Sequence, residues 1–127
     1  MSVAIKIFSC GILILLFLSC DKRSDEEILE SMLHENSPLK GNCMSLKREG
    51  RFFVFEVSPN ILYSLGLSTM DEDSSKEWTL SYLNSSHLSS NLSKGEIYDY
   101  YHGTHENGLW IWALLDQEKA FCIVSGY

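Results

Sequence analysis

The stretch Leu109-Trp110-Ile111-Trp112-Ala113-Leu114-Leu115 is apolar at every position. Seven such residues in a row are typical of a strand that is buried on both faces, at the centre of a sheet. Turn-forming residues flank the stretch at Gly103–Gly108 and at Asp116–Lys119, and they predict neighbouring strands over Glu96–His102 and Ala120–Val124. This part of the chain therefore predicts the middle of an antiparallel β structure.

A β-hairpin is predicted earlier in the chain, where Asn42–Arg48 and Arg51–Ser58 flank the two residues Glu49-Gly50. The register that closes this turn gives the hairpin one apolar face, formed by Met44, Leu46, Phe53, Phe55 and Val57. The same register places Cys43 on the opposite face, unless a β-bulge intervenes.

Apolar and polar residues alternate in Ile61–Leu67 and in Trp78–Asn84, which predicts two further strands. Residues 68–77 and Ser85–Ser93 are polar and predict loops. No long helix is predicted after residue 36. About seven short strands joined by turns favour an all-β fold, an antiparallel β-sandwich of immunoglobulin-like outline, with a small barrel as the alternative.

A short helix is predicted near residues 25–35. Ser24-Asp25-Glu26-Glu27 has the form of a capping box, and Asn36-Ser37-Pro38 supplies a stop. Four apolar residues between these signals lie on one stripe at helical spacing: Ile28, Leu29, Met32 and Leu33. We expect this helix to be a spacer in the polar tether between membrane and domain, with its apolar stripe resting on the domain.

The pattern of the N-terminus predicts an export signal. Lys6 is followed by the apolar stretch Ile7–Leu18, whose length suits a signal peptide and is too short to span a bilayer. Phe17-Leu18-Ser19-Cys20 resembles the lipobox of bacterial lipoproteins, although leucine is usual where Phe17 stands. The resemblance implies that Cys20 is cleaved free and acylated, for example with palmitate. An uncleaved membrane anchor and an ordinary secretory signal are the alternatives.

The chain accordingly divides into a signal peptide (1–19), an acylated N-terminus with a polar tether (20–41) and one β-sandwich domain (42–127). We expect a lipid anchor in a bacterial membrane, with the domain facing the periplasm. Asp21 resembles the signal that keeps lipoproteins on the inner membrane. Removal of the signal takes away Lys6 and leaves a net charge of −8, which argues against nucleic acid and against a second, electrostatic hold on anionic lipid. An acidic surface is compatible with a basic protein partner.

Two cysteines, Cys43 and Cys122, remain after Cys10 in the signal and Cys20 at the anchor. An even pair in an exported protein predicts one disulfide, which would join the start of the domain to its end. Free thiols and a cysteine–histidine catalytic pair are the alternatives.

Two polar segments contain residue types that bind metal ions. His102, His105 and Glu106 could bind a transition metal, with His87 as a further ligand, although their order differs from that of the zinc-protease motif. A solvated turn is the simpler interpretation, and we expect no cofactor. The acidic run Asp71-Glu72-Asp73 lacks the glycine and the final glutamate of a calcium loop, so a solvated loop or a partner-facing surface is expected.

The aromatic side chains could line a groove for a sugar or a peptide. Because aromatic residues in strands more often pack in cores, we expect Trp110 or Trp112 in the core. The adjacent Tyr100 and Tyr101 must point to opposite faces of their strand. The chain contains no nucleophile elbow, phosphate loop or dinucleotide-binding motif, so the sequence gives enzymatic activity no positive support.

The layout as a whole has a lipoprotein signal, a short polar lead, Gly41-Asn42-Cys43 at the start of a hairpin and Phe121-Cys122-Ile123 in the last strand. It resembles the short periplasmic lipoproteins of enterobacteria described as type VI secretion immunity proteins. In that family a cysteine near each end of the domain frames a small β-sandwich. The resemblance implies a stoichiometric binder that neutralises a toxin and has no catalytic residues.

Three hypotheses follow. The first is a non-catalytic, lipid-anchored binding domain, with an immunity protein as its most specific form. The second is a metal-dependent periplasmic enzyme that uses the loop around His102, His105 and Glu106. The third is a structural envelope lipoprotein without a specific ligand.

Overall fold

The structure is a computed structural model that describes residues 23–88, 91–95 and 97–126. The predicted signal peptide and the acylation site Cys20 lie outside these residues. The described part contains three helices, α1 (Asp25–Ser31), α2 (Pro59–Ser64) and α3 (Asp73–Ser85). It contains six strands, which are β1 (Met44–Glu49), β2 (Phe52–Val57), β3 (Ser68–Thr69), β4 (Asp99–His105), β5 (Leu109–Leu115) and β6 (Ala120–Ser125). None of the helices in this part is both long and apolar enough to cross a membrane.

The six strands form one antiparallel sheet in the order β1-β2-β6-β5-β4-β3. The antiparallel β architecture is thus confirmed. The predicted sandwich of about seven strands is not found among the described residues, because all six strands join a single sheet. Strand β6 is buried along its whole length and β5 along most of it, which confirms that Leu109–Leu115 is a central strand.

Helices cover both faces of the sheet and create two separate cores. On the first face, α1, α2 and the segment after α1 pack on the sheet with Leu29, Leu39 and Leu62. On the second face, α3 and the segment before β4 pack on it with Leu80, Leu83 and Leu92. The second sheet that a sandwich requires is therefore replaced by helices, which bury the same apolar faces.

A β-bulge in β1 changes the predicted hairpin register. The pairing shifts between Met44 and Lys47, and Ser45 takes a φ of 54°. Glu49 pairs with Phe52, so the turn lies at Gly50 and Arg51 and not at Glu49-Gly50. The bulge reverses the side chains that precede it, so Met44 is exposed and Cys43 turns towards the first core. Leu46 packs against that core, as predicted.

Helix α1 is confirmed, and its apolar stripe packs on the domain as expected. The Ser24 hydroxyl accepts a hydrogen bond from the Glu27 amide at 3.1 Å, as the capping box predicts. Leu29 and Leu39 are each only 1% exposed and belong to the first core. Packing therefore begins well before residue 42, where the sequence placed the start of the domain.

Two predicted strands are helices. Ile61–Leu67 falls largely in α2, where Pro59 occupies the first turn, a position that proline favours. Trp78–Asn84 lies inside α3, and the predicted loop 68–77 supplies β3 and the start of that helix. Thr79, Leu80 and Leu83 are buried at helical spacing, which a short alternating pattern did not reveal.

Candidate functional site

All three tryptophans of the chain meet on one patch of the second face. Trp110 and Trp112 lie on β5, and Trp78 lies on α3. Phe52 starts β2, and Tyr82 stands one helical turn beyond Trp78. We call these five residues the aromatic surface.

The rings of the aromatic surface contact one another with the spacing and tilt that aromatic pairs prefer. The Phe52 ring centroid lies 5.2 Å from that of Tyr82, 5.9 Å from that of Trp78 and 6.1 Å from that of Trp112. The centroids of Trp78 and Trp112 are 5.3 Å apart, and Trp110 stacks on Trp112 at 6.4 Å. Helix α3 and the strands β2 and β5 are thereby joined through one set of rings.

The surface is open to solvent. Trp110 is 49% exposed and Trp78 39% exposed. Trp112 is partly buried and packs against the second core, so neither Trp110 nor Trp112 is the fully buried core residue that was expected. A contiguous patch of exposed apolar side chains is characteristic of an interaction site, whereas single exposed apolar residues scattered over a surface are common.

Arg51 borders the aromatic surface. Its guanidinium carbon lies 5.0 Å from the centre of the Phe52 ring, within the range of a cation–π interaction. The exposed arginine and the rings enclose a shallow cavity of about 260 Å³, lined by Arg51, Phe52, Ser74, Ser75, Trp78 and Trp112. A ligand in this cavity meets aromatic faces, two hydroxyl groups and one positive charge.

Glu49 holds the far side of the aromatic surface in place. Its carboxylate accepts hydrogen bonds from the His87 amide at 3.0 Å and from the Tyr82 hydroxyl at 3.3 Å, and the His87 ring nitrogen Nδ1 lies 3.0 Å away. Partial burial opposes ionisation of Glu49, but these hydrogen bonds and the charge of His87 outweigh it and lower its pKa. Burial and the Glu49 charge raise the pKa of Tyr82. The β1–β2 hairpin is therefore linked to α3.

The structure does not bring His102 and His105 together. Because they are three residues apart on β4, they point to opposite faces of the sheet. Only His105 lies near Glu106, with its Nε2 atom 3.2 Å from the carboxylate, and His87 is bound to Glu49. In the described ranges no group of three potential ligands is placed to hold a metal ion.

Glu106 has a structural contact instead. It accepts a hydrogen bond from the His34 amide at 2.8 Å. Burial opposes its ionisation, but that amide and the nearby charge of His105 outweigh the burial and lower its pKa. The amide group of Asn107 also donates to the Met32 carbonyl at 3.0 Å. The β4–β5 turn therefore holds the segment that follows α1.

The acidic residues Asp71, Glu72 and Asp73 are exposed beside the β3 edge of the sheet, and Asp73 begins α3. Asp71 and Glu72 line a cavity of about 240 Å³ with His102. Their part in partner binding stays a prediction.

Cys43 and Cys122 are free thiols that both pack against the first core. Burial raises the pKa of Cys43 to about 12, with smaller contributions from the charges of Glu26 and Glu30. Burial also raises the pKa of Cys122, and Cys43 contributes to that shift.

The two cysteines stand at strands that are not neighbours. Cys43 directly precedes β1 and Cys122 lies in β6, while β2 runs between these strands. Strands two apart are separated by about 10 Å, whereas the Cα atoms of a disulfide are usually less than about 7 Å apart. Cys43 lies outside the regular part of β1, so this spacing does not fix its distance from Cys122, and the predicted disulfide stays a prediction.

Comparison with protein families, with characterised proteins and with solved structures finds no match for this chain. Sequence reasoning singled out the tryptophans but missed Phe52 and Arg51 as their partners. The usable signal was the spacing of Trp78 and Tyr82, four residues apart, which aligns them on one side of a helix. The contact with Phe52 depends on the order of the strands, which that spacing does not encode.

Proposed function

We propose that the chain is an exported, lipid-anchored protein whose domain works by binding a protein partner through the aromatic surface. The observation that carries this proposal is the convergence of all three tryptophans, beside Arg51, on one partly exposed patch. Tryptophan, tyrosine and arginine are the residues that contribute most to binding energy at protein interfaces. The aromatic rings are also held in position by their mutual contacts, which lowers the entropy cost of binding.

The anchor in this proposal is an acyl group on Cys20, with the domain on the periplasmic side of the membrane. Its support is the apolar stretch Ile7–Leu18 followed by Ser19 and Cys20. The more specific form of the proposal is an immunity protein that neutralises a secreted toxin one to one, and the family resemblance of the sequence supports it.

A capture experiment tests the binding proposal. The acylated protein is used to isolate partners from detergent-solubilised envelopes of the producing cells and from a co-expressed neighbouring toxin. Trp110→Ala is compared with Tyr63→Ala, because Tyr63 is 61% exposed on α2, away from the aromatic surface. We expect Trp110→Ala to weaken binding by about 30-fold, the effect of losing a hot-spot residue worth about 2 kcal/mol.

Tyr63→Ala should bind like the unmodified protein. Equal binding by the two variants would remove the aromatic surface from the proposal, and the absence of any captured protein would contradict a binding function.

Acylation is tested separately. Labelling with palmitate should be lost in Cys20→Ala and kept in Cys10→Ala, since Cys10 lies within the cleaved signal. Labelling that persists in Cys20→Ala would exclude the lipobox.

A further inference from the structure

We propose that the domain presents the aromatic surface beside the membrane, and that its partner is a protein segment lying at that membrane surface. The segment needs apolar side chains to pack on the tryptophans and an acidic group to pair with Arg51. This inference rests on the proposed acylation of Cys20 and deepens the proposed function.

The connection between lipid and domain is very short. Only three residues separate Cys20 from Ser24, which is the N-cap of α1. Four peptide units span at most about 14 Å when fully extended. The point at which the chain enters the folded domain must therefore stay close to the lipid headgroups.

Helix α1 is fixed to the sheet, so the domain cannot swing away on a long arm. At its start the Asp25 carboxylate accepts a hydrogen bond from the Arg48 amide of β1 at 2.9 Å. Beyond its end, Glu106 and Asn107 of the β4–β5 turn hold His34 and Met32. Leu29 is buried between these attachments, and α1 therefore follows one end of the sheet from β1 to the β4–β5 turn.

The aromatic surface reaches that same end of the sheet. Glu49 pairs with Phe52, Phe52 with Ser125, and Ser125 with Trp110, so these four residues form one row across the strands. Three strand spacings of about 4.8 Å place Trp110 about 14 Å from the β1 corner where α1 begins.

The corner where α1 begins carries charges of both signs. Lys47, Arg48 and Arg51 are exposed at the β1–β2 hairpin, but the acidic residues Glu26 and Glu27 are exposed on the first turn of α1 beside them. The exposed acidic run 71–73 lies beside β3, at the opposite edge of the sheet. The orientation therefore rests on the short connection to the lipid and on the position of the aromatic surface.

The three tryptophans make the orientation measurable, because all of the tryptophan fluorescence arises from the aromatic surface. The acylated full chain is reconstituted into vesicles of phosphatidylethanolamine and phosphatidylglycerol that carry a quencher either on the headgroup or deep in the acyl chains. We expect the headgroup quencher to reduce the emission and the deep quencher to leave it nearly unchanged.

Two further samples sharpen the test. A flexible Gly/Ser insert of about 20 residues between Lys22 and Arg23 gives the connection a mean reach of about 25 Å and should reduce the quenching by the headgroup label. Unacylated Cys20→Ala protein mixed with the same vesicles should show no quenching.

Each other result overturns a defined part of the proposal. Strong quenching from the acyl chains would show that lipid itself occupies the aromatic surface. Protein that sediments with vesicles but is unquenched would show that the surface points away from the membrane. Protein of the unmodified sequence that does not sediment with vesicles would overturn the anchor, and with it the proposed localisation.

Discussion

Phe52 joins the parts of the aromatic surface at the scale of a single residue. Its ring contacts Tyr82, Trp78 and Trp112, and the guanidinium of Arg51 lies over it. It also pairs with Ser125 in the sheet, so its backbone is fixed by β6 while its side chain holds α3. The position of Trp78 relative to the sheet depends on this one ring.

Glu49 provides a prediction at the same scale. Its pKa is below the ordinary value of 4.5 in the folded protein, so folding favours the ionised form. The resulting stabilisation is complete above the pKa of the unfolded chain and is lost as the pH falls towards the folded pKa. We expect Glu49→Gln to lower the free energy of unfolding by about 1 kcal/mol at pH 7 and to flatten its decline below pH 4.5.

Urea unfolding followed by tryptophan fluorescence between neutral and acidic pH measures both effects. Glu118→Gln is the matched control, since Glu118 is exposed in the β5–β6 turn. Parallel pH profiles for the unmodified protein and Glu49→Gln would contradict the role of this carboxylate.

The residues show how far the sequence could predict the site. The apolar run around Trp110 and Trp112 was sufficient to place them on a central strand. Which of them is exposed depends on where α3 crosses the second face, and the helix was misread as a strand. His102 and His105 illustrate the same limit, because their interpretation as joint ligands assumed a turn where β4 places them on opposite faces.

At the scale of elements, α1 is an integral part of the fold. We expect Leu29→Ala to lower the free energy of unfolding by about 2–4 kcal/mol, the usual cost of removing a fully buried leucine side chain. Glu26→Ala removes an exposed side chain from the same helix that is not one of the two capping-box partners, and it should change the stability by less than about 1 kcal/mol. Chemical denaturation measures the free energy of unfolding of both variants. Equal values would show that α1 does not contribute to the stability of the domain.

Strands in the central part of the sheet were predicted well because their residues are apolar on both faces or alternate cleanly. β5 and β6 match Leu109–Leu115 and Ala120–Val124 almost residue for residue. The two stretches that were misread, Ile61–Leu67 and Trp78–Asn84, have only seven residues of alternating pattern each, which fits a strand and one side of a helix equally well. The predicted register put Cys43 on the polar face of the hairpin unless a bulge intervened, and the bulge in β1 turns it to the core. The position of this bulge could not be read from the alternating pattern.

At the scale of the whole molecule, the two thiols lie near the two ends of the folded chain and share one core. Because their pKa values are raised, the thiolate that reacts with disulfides and alkylating agents is scarce at neutral pH. We expect the reduced, folded protein to be alkylated slowly at pH 7.5, with Cys122 slower than Cys43. Mass spectrometry of protein quenched at intervals measures both rates.

Alkylation in concentrated urea provides the control, since both cysteines should then react at the rate of free thiols. Rapid labelling of Cys122 in the folded protein would contradict its complete burial. If the predicted disulfide forms on export, protein purified without reductant should show no reactive thiols in urea.

The two edge strands of the sheet determine how readily one copy of the protein could pair its strands with another copy. One edge strand, β3, has only two residues, and the other, β1, is interrupted by its bulge and carries Lys47 and Arg48. Short, bulged or charged edges are poor templates for the backbone of another chain. Under the proposed acylation of Cys20, copies would diffuse in two dimensions and collide often, and these edges would protect them from strand-to-strand aggregation. They also leave side-chain recognition as the route by which a partner binds.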